Sequence, residues 1–495
     1  MSAPDAPPAS LRLLAERALS RAAGAPLVPG NALTLLRDST ENYPAWLDAI
    51  EGARRSIAIE SYILSEDAVG NRFADAMIAA AKRGVRVRLL QDWLGARGEA
   101  SHRFWTRLRQ SDVEFRWFNP FRFAAPLAWL RRNHRKSLVV DDRIGFVTGL
   151  CLAARWTGDA AHGIPPWRDT GVCIEGPAVA DLANSFARTW AEAGGMSDSE
   201  VGLRPQEIPA AGDVSMRVVA TEPATTGTFR LDALIAAIAQ RRLWLTDAYF
   251  FGLPAYVQSL RAAALDGVDV RLLVPGTSDL GLMKKLGNAG FRPLLEAGIR
   301  VFEWNGAMLH AKTAVADGRW ARVGSTNLNI ASWMGNWELD VAVEDERFAS
   351  EMERMYEADL SNSTELLLGV PRRRTQRGRA TSAAGSRARE GSAVVTAGAI
   401  RVGTSVSAAL GGHRVVRPAE ARVLIGGGLA LVAFAAVALL VPWMVVVPLA
   451  VGAAWLGVTL IVNGARLRRA RARLPAGERQ ERATTRPEAG RDSHA

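Results

Sequence analysis

Apolar and polar side chains alternate with a period of two in short runs along the first 370 residues, with longer amphipathic stretches between them. The alternating runs read as strands and the longer ones as helices. The pattern repeats. Ala53-Arg-Arg-Ser-Ile-Ala-Ile-Glu-Ser-Tyr62 is echoed by Ala239-Gln-Arg-Arg-Leu-Trp-Leu-Thr-Asp-Ala-Tyr249. Helical stretches follow at Arg72–Lys82 and Ala255–Leu265. Then Gly84-Val-Arg-Val-Arg-Leu-Leu90 matches Gly267-Val-Asp-Val-Arg-Leu-Leu273, and Val113–Asn119 matches Ile299–Asn305. An internal duplication of alternating strands and helices predicts two similar α/β halves, each built on a parallel or mixed sheet with helices on its faces.

The pattern changes after residue 370. Residues 371–419 are rich in Arg, Ser, Ala and Gly, with little periodicity, and no packed core is expected there. Val423 to Val462 then runs for 40 residues without a charged side chain. A spanning helix needs about 20 apolar residues to cross ~30 Å of hydrocarbon, so the run is long enough for two, with Pro442 and Trp443 where a turn would fall. A buried core hairpin is the alternative reading. It is the weaker one, because soluble helices rarely stay apolar on every face for so long. Arg414, Arg417 and Arg422 precede the run, and Arg466, Arg468, Arg469, Arg471 and Arg473 follow it. Arginine on both flanks fits a hairpin with both ends in the cytoplasm, hence a protein of the inner membrane with its catalytic part on the cytoplasmic side. Residues 1–30 are Ala/Pro-rich and are expected to be a frayed start with one short amphipathic helix. Arg12, Glu16 and Arg21 interrupt any apolar stretch there, so no signal peptide is expected.

Charge sharpens this division. The chain of 495 residues carries +11. Residues 372–422 hold a net +9 and residues 463–495 a net +5, which leaves the first 371 residues at −3. Nucleic-acid binding normally recruits a basic surface, whereas this body is net acidic, so no nucleic-acid partner is expected. The basic tail instead suits an anionic lipid surface. Two cysteines, Cys151 and Cys173, exclude a disulfide framework and a zinc cluster of the cysteine type.

The echo ends in chemistry. His134-Arg-Lys-Ser-Leu-Val-Val-Asp-Asp-Arg143 corresponds to His310-Ala-Lys-Thr-Ala-Val-Ala-Asp-Gly-Arg319. Each reads as a strand, a turn and a second strand. Residues i and i+2 of a strand share a face, so His134 projects with Lys136 and His310 with Lys312. If the pseudo-twofold axis brings the two strands together, two imidazoles and two ammoniums converge, a set suited to a phosphodiester. The lysines would neutralise phosphate oxygens. One histidine would attack phosphorus, and the other would shuttle the proton. This chemistry requires no metal or cofactor, and the sequence shows no ligand set for one. Asp141 and Asp317 complete the repeated H-x-K-x-x-x-x-D spacing. They are counted with the catalytic set, although an Asp opening a hairpin is by default a turn residue. A single H-x-K arises easily by chance. Two copies at equivalent positions of a duplicated unit, among six histidines, do not.

The paired motifs resemble those of the phospholipase D superfamily, and Gly324-Ser325-Thr326-Asn327 is similar to its G-S-x-N signature. Asn133-His-Arg-Lys136, Pro166-Trp-Arg-Asp-Thr170 and Glu175-Gly-Pro-Ala-Val179 are most similar to bacterial cardiolipin synthases. The resemblance implies a duplicated, bilobal α-β-α sandwich with pseudo-twofold symmetry, followed by the C-terminal transmembrane hairpin. The expected divisions are an extension at 1–30, halves at 31–200 and 201–365, a linker at 366–420, the hairpin at 421–463 and a basic tail at 464–495. The resemblance further implies a phosphatidyl group carried on histidine and passed from a phospholipid to an acceptor alcohol. It places Ser325 and Asn327 against the phosphate, and Asp169 and Glu338 on the histidines. By analogy the nucleophile is His134 and the general acid His310, an order the sequence alone leaves open. Phospholipase D hydrolysis and nuclease activity are the alternatives.

Two departures stand out. The first motif ends Thr148-Gly149-Leu150-Cys151, where many relatives have G-G-x-N, so Cys151 replaces the first-half counterpart of Asn327 and reads as a packing residue. Familiar bacterial cardiolipin synthases carry their membrane segments at the N-terminus, whereas the apolar run here is C-terminal. The stretch Phe121 to Arg132 has no counterpart in the second half. Its aromatic, aliphatic and Arg mixture suits either a lip dipping into an interface or a packing loop. Removal of residues 420–495 is expected to release the protein from membranes into the soluble fraction on sedimentation; persistence in the pellet would place the anchor elsewhere.

Overall fold

Side-chain caps fix the starts of some of the helices. Asp67 accepts from the amides of Val69 and Gly70, both at 3.0 Å, and Asp345 accepts from Phe348 N at 2.8 Å. The computed structural model describes residues 9–121, 130–196, 202–277 and 290–368, with seven scattered helical positions between 443 and 458. The first half begins with α1 (Ala9–Ala23), β1 (Val28–Arg37), α2 (Asp38–Gly52), β2 (Ser56–Ser61), α3 (Ala68–Lys82) and β3 (Arg86–Asp92). It continues with α4 (His102–Arg109), β4 (Glu114–Phe118), β5 (Ser137–Val140), β6 (Ile144–Thr148), β7 (Thr170–Glu175) and α5 (Val179–Glu192). The second half begins with β8 (Val214–Thr221), α6 (Gly227–Ile238), β9 (Arg242–Thr246), α7 (Pro254–Leu265) and β10 (Asp269–Pro275). It ends with β11 (Arg300–Trp304), β12 (Thr313–Ala316), β13 (Trp320–Gly324), β14 (Glu338–Glu344), α8 (Glu346–Ser361) and β15 (Ser363–Leu366).

The strand order exposes the duplication. The first half runs β1-β7-β6-β5-β2-β3-β4 and the second β8-β14-β13-β12-β9-β10-β11, with β15 added at the far edge. The β2–β3–β4 and β9–β10–β11 runs are parallel and the remaining pairs antiparallel, so the sheet is mixed. Antiparallel pairing of β1 with β8 joins the halves into one fifteen-stranded sheet.

Three apolar clusters follow. One packs α2 and α3 on the outer face of the first half, around Trp46, Ile50, Phe73 and Met77. A second packs α6 and α7 on the second half, around Leu231, Ile235, Tyr256 and Leu260. The third is shared between the halves. Val147, Val172 and Ile174 meet Val323, Val341 and Val343 there, flanked by Phe186 and Trp190 of α5 and Met352 and Tyr356 of α8. The two halves therefore form one compact unit and share a core. The N-terminal segment departs from the frayed start expected of it. α1 lies on α6, with Leu19 and Ala23 buried in the second-half core, and β1 enters the sheet at Val28.

The expected hairpin at 421–463 lies, apart from the seven scattered positions, outside the described residues, as do the linker and the basic tail beyond Leu368. Among the described residues, no helix is long and apolar enough to cross a membrane.

The hairpins after the two motifs form as the turn residues predict. Asp141 and Asp142 have φ of 56° and 55°, and Asp317 and Gly318 have 53° and 68°. This left-handed pair closes a type I′ turn through Arg143 N–H to Val140 C=O at 3.0 Å and Arg319 N–H to Ala316 C=O at 3.1 Å. The Asp141 carboxylate accepts the amides of Arg54, Arg55 and Ser56 at 2.9, 2.7 and 2.9 Å. Asp317 accepts those of Gln240, Arg241 and Arg242 at 2.8, 2.8 and 2.9 Å. Each aspartate thus ties the end of its hairpin to the start of the neighbouring strand. Asp141→Asn keeps the turn conformation but weakens the acceptor. Asp141→Ala removes both and is expected to cost about 1–3 kcal/mol in urea unfolding. kcat at a permissive temperature is expected to stay within a few-fold of wild type for both.

Candidate active site

Each histidine sits where a strand of one half meets a strand end of the other. His134 N–H donates to Trp337 C=O at 2.9 Å, and Trp337 N–H donates to Arg132 C=O at 2.8 Å. His310 N–H donates to Arg168 C=O at 2.7 Å, and Arg168 N–H donates to Met308 C=O at 2.9 Å. These two short parallel bridges cross the seam in opposite directions. The residue after Trp337 is Glu338, and the residue after Arg168 is Asp169. His134 Nδ1 lies 2.9 Å from Glu338 Oε2, and His310 Nδ1 lies 2.8 Å from Asp169 Oδ2. Each half's imidazole is therefore held by the other half's carboxylate. The Nδ1–H donates to the carboxylate, which turns Nε2 of each ring away from it for chemistry.

The carboxylates are themselves braced. Glu338 accepts Ser325 Oγ at 2.6 Å and Asn336 Nδ2 at 3.2 Å. Asp169 accepts Trp156 Nε1 and its neighbour Thr170 N–H, each at 2.9 Å. Gly149 occupies the position matching Ser325, and a Cβ there would come within 2.2 Å of Asp169 Oδ1. The glycine gives the shorter carboxylate its place. On the opposite face of the first motif, the buried Arg135 guanidinium lies 5.1 Å from the Trp337 ring centroid. It donates to Glu338 C=O at 3.0 Å, Ser185 C=O at 3.1 Å and Thr189 Oγ1 at 2.6 Å. Arg135 thereby fixes the Glu338 strand end against α5.

Burial and mutual charge set the protonation states. Burial pushes the Glu338 and Asp169 carboxyls up, but the facing histidine and lysine charges outweigh it, and both stay below the usual range. Burial, then the Lys312 charge, pull His310 down to about 3. Burial also lowers His134 and Lys136, and it brings Lys312 down to about 8. Each lysine is felt by both histidines, as expected when all four side chains face one space. Lys136 Nζ donates to His134 C=O at 2.6 Å, and Lys312 Nζ donates to His310 C=O. Lys312 Nζ also lies 2.9 Å from His310 Nδ1. That nitrogen carries one hydrogen or one lone pair, not both, and the Asp169 carboxylate takes the hydrogen. Both rings are walled by aromatics: Tyr62 meets His134 edge-on at 5.1 Å, and Trp156 and Tyr249 meet His310 edge-on at 5.3 and 6.0 Å. Trp167 lies tilted against His310 at 5.8 Å.

The structure brings together His134, Lys136, His310, Lys312, Asp169 and Glu338. It does not bring Asp141 and Asp317 to them. Those residues lie five positions past the lysines, roughly 16 Å along an extended strand, with their carboxylates on backbone amides. This corrects their place in the catalytic set, and the cause is the strand geometry itself. Ser325 Oγ donates to Glu338 and accepts from Leu339 N–H. Asn327 is buried, and its Oδ1 has no hydrogen-bond partner among the described residues. Cys151 is buried, and its thiol is pushed up by burial. Sequence reasoning missed Trp156, Arg135 and Asn336. It quoted Tyr62 and Tyr249 only as marks of the repeat; they follow β2 and β9 by one and three residues, and an aromatic soon after each of these strands was the available signal. Among the described residues, no group of three His, Cys, Asp or Glu side chains could hold a metal.

Fold and site together define a phospholipase D-like enzyme with a paired-histidine centre. The model of the family "Cardiolipin synthase, PLD-like domain" matches residues 46–190 and 234–360, and the chain belongs to that family. It is 35% identical over 361 residues to cardiolipin synthase A of Pseudomonas aeruginosa strain LESB58, covering 70% of this chain and 71% of that protein. It is 30% identical over 353 residues to cardiolipin synthase 1 of Bacillus anthracis, covering 69% of each. The fold is also similar to the crystal structure of phosphatidylserine synthase from Haemophilus influenzae Rd KW20. There the TM-score is 0.54 and the identity 15%, over 71% of this chain and 91% of that one.

Asp169→Asn and Glu338→Gln put an amide where the Nδ1–H acceptor stands and favour the wrong tautomer. Each is expected to lower kcat by roughly 10²–10⁴ with little change in melting temperature. Gly149→Ala is expected to displace Asp169 and reproduce the Asp169→Asn loss. Near-normal turnover in these variants would refute the crossed arrangement.

Proposed function

We propose that this chain is a membrane-associated phosphatidyltransferase of the cardiolipin-synthase type. The observation that supports this best is the pair of imidazoles with Nδ1 locked and Nε2 released, flanked by two buried lysines, in a chain of this family. The lysines bind the non-bridging oxygens of a phospholipid phosphodiester, with the Asn327 amide beside them. His134 Nε2 attacks phosphorus, and the P–O bond to the headgroup breaks. His310 gives its Nε2 proton to the departing alkoxide. Burial and the Lys312 charge favour neutral His310; the phosphodiester anion supplies the negative charge that lets it carry that proton. His310 then takes the proton from an acceptor hydroxyl, whose oxygen attacks phosphorus, and the P–N bond to His134 breaks. The aromatic walls around both rings limit water at the intermediate, which favours transfer to an alcohol over hydrolysis. The uncharged run at 423–462 with its arginine flanks would hold the enzyme in the inner membrane, facing the cytoplasm.

The test is a product assay with radiolabelled phosphatidylglycerol in detergent micelles, comparing wild type with His134→Ala and His310→Ala. Cardiolipin and free glycerol are expected from wild type, with loss of at least ~10³-fold in either variant. Phosphatidic acid as the product would make the enzyme a phospholipase D. No turnover, or turnover kept in the variants, would overturn the reading.

A further inference from the structure

The duplicated halves differ in charge at a position facing the lysines. In the first half, β2 and β5 pair with Glu60 opposite Ser137. One step further along that register stands Ser61 opposite Lys136. In the second half, β9 and β12 pair with Thr246 opposite Thr313, and the same step puts Asp247 opposite Lys312. Residues directly opposite in an antiparallel pair share a face, with Cβ atoms about 5 Å apart. Ser61 turns its hydroxyl to Ile63 C=O at 2.6 Å and brings no charge. Asp247 brings a carboxylate that is fully buried.

One oxygen of that carboxylate is engaged. Asp247 Oδ1 accepts Leu328 N–H at 3.0 Å, the amide immediately after Asn327. Two further bonds lash the same segments together: Asn329 Nδ2 donates to Tyr249 C=O at 3.1 Å, and Phe251 N–H donates to Leu328 C=O at 3.0 Å. The Asp247 segment thus holds the turn that carries Asn327, and it sets the Tyr249 ring beside His310. The other oxygen, Oδ2, is buried with no hydrogen-bond partner among the described residues. A buried carboxylate oxygen in that state is costly unless a cation faces it. Two cations do, Lys312 and Arg322. Arg322 is already paired with Asp232 at 3.0 Å and Asp340 at 2.9 Å. Lys312 is faced by Asp169, Asp247, Lys136, Cys151 and His310. Asp169 and Asp247 are the two carboxylates that favour the Lys312 cation, Asp169 from across the seam and Asp247 from the same half as Lys312.

We propose that Asp247 is a positioning residue of the phosphate site, which fixes the Asn327 turn through Leu328 and serves, with Asp169, as a counter-anion that keeps Lys312 charged. The proposal rests on the reading of the site as one for a phosphodiester. It makes the two lysines unequal at this register position: Lys312 has Asp247 where Lys136 has Ser61, and Lys136 instead feels Glu338, Asp169 and Asp92. Burial holds Asp247 up at about 7 and Lys312 down at about 8. Above neutrality Asp247 is ionised and favours the Lys312 cation; without it, Lys312 loses its proton at lower pH.

The experiment measures anion binding instead of turnover, so its failure is separable from failure of the phosphatidyltransferase reading. Full-length protein in detergent is titrated calorimetrically with sulfate, a phosphate isostere whose charge is constant from pH 6.5 to 9.5. Wild-type affinity is expected to fall as pH rises through the Lys312 titration. Asp247→Asn retains a carbonyl oxygen for Leu328 N–H but no charge. It is expected to move the midpoint of that fall down by about one pH unit, the low end of what a nearby opposite charge does. Lys312→Arg is expected to abolish the fall, and Asp247→Asn added to it is expected to produce no shift. A role confined to holding the turn would leave the midpoint where it is. Identical midpoints in wild type and Asp247→Asn, with matching melting curves, would overturn the proposal. So would a shift that survives in the Lys312→Arg background.

Discussion

Two imidazole–carboxylate bonds, each made across the seam, are the constraint on which the site depends. His134 takes its carboxylate from a residue 204 positions later, and His310 takes its own from one 141 positions earlier. Neither half can complete a centre alone, since each supplies a ring to one pair and an anion to the other. This explains why the apolar core is continuous between the halves and why β1 and β8 join their sheets. A shift of one half against the other by the width of a side chain would break both bonds together. The shared core of valines, with Trp190 and Tyr356 at its flanks, supplies the stiffness that the pairing needs.

Duplication supplies symmetry, and the chain then departs from it at positions that matter. Ser325 braces Glu338, where the first half has Gly149 packed against Asp169. Asn327 has Cys151 as its counterpart. Arg135 lies between its histidine and lysine and reaches into α5, whereas the second motif has Ala311. One register step past the paired strands, Asp247 stands in the second half where the first half has Ser61. These differences give the rings different surroundings, and they lie within a few residues of the reacting groups.

Much of this was legible in the sequence, for a local reason. The repeat, the strand–turn–strand motifs and the pairing of His with Lys on one face follow from period-two alternation and turn residues, which act over a few positions. Asp169 and Glu338 entered through the family resemblance, and each carboxylate lies within hydrogen-bond distance of a histidine Nδ1. The aspartates of the motif carried a chemical label in the sequence and a mechanical task in the fold. They lie at the far ends of their strands, where a carboxylate meets three backbone amides and no imidazole. The N-terminal helix read as a loose start because its apolar positions find their partner only in α6, some two hundred residues away.

The sequence by itself determined that a duplicated α/β unit presents two His–Lys pairs, because side-chain direction along a strand is a local property. Only the tertiary structure decided which carboxylate meets which ring, that Ser325 supports Glu338, and that Asp247 lies opposite Lys312. Those contacts depend on strand register and on the packing of one half against the other, and no short-range pattern in the chain encodes either.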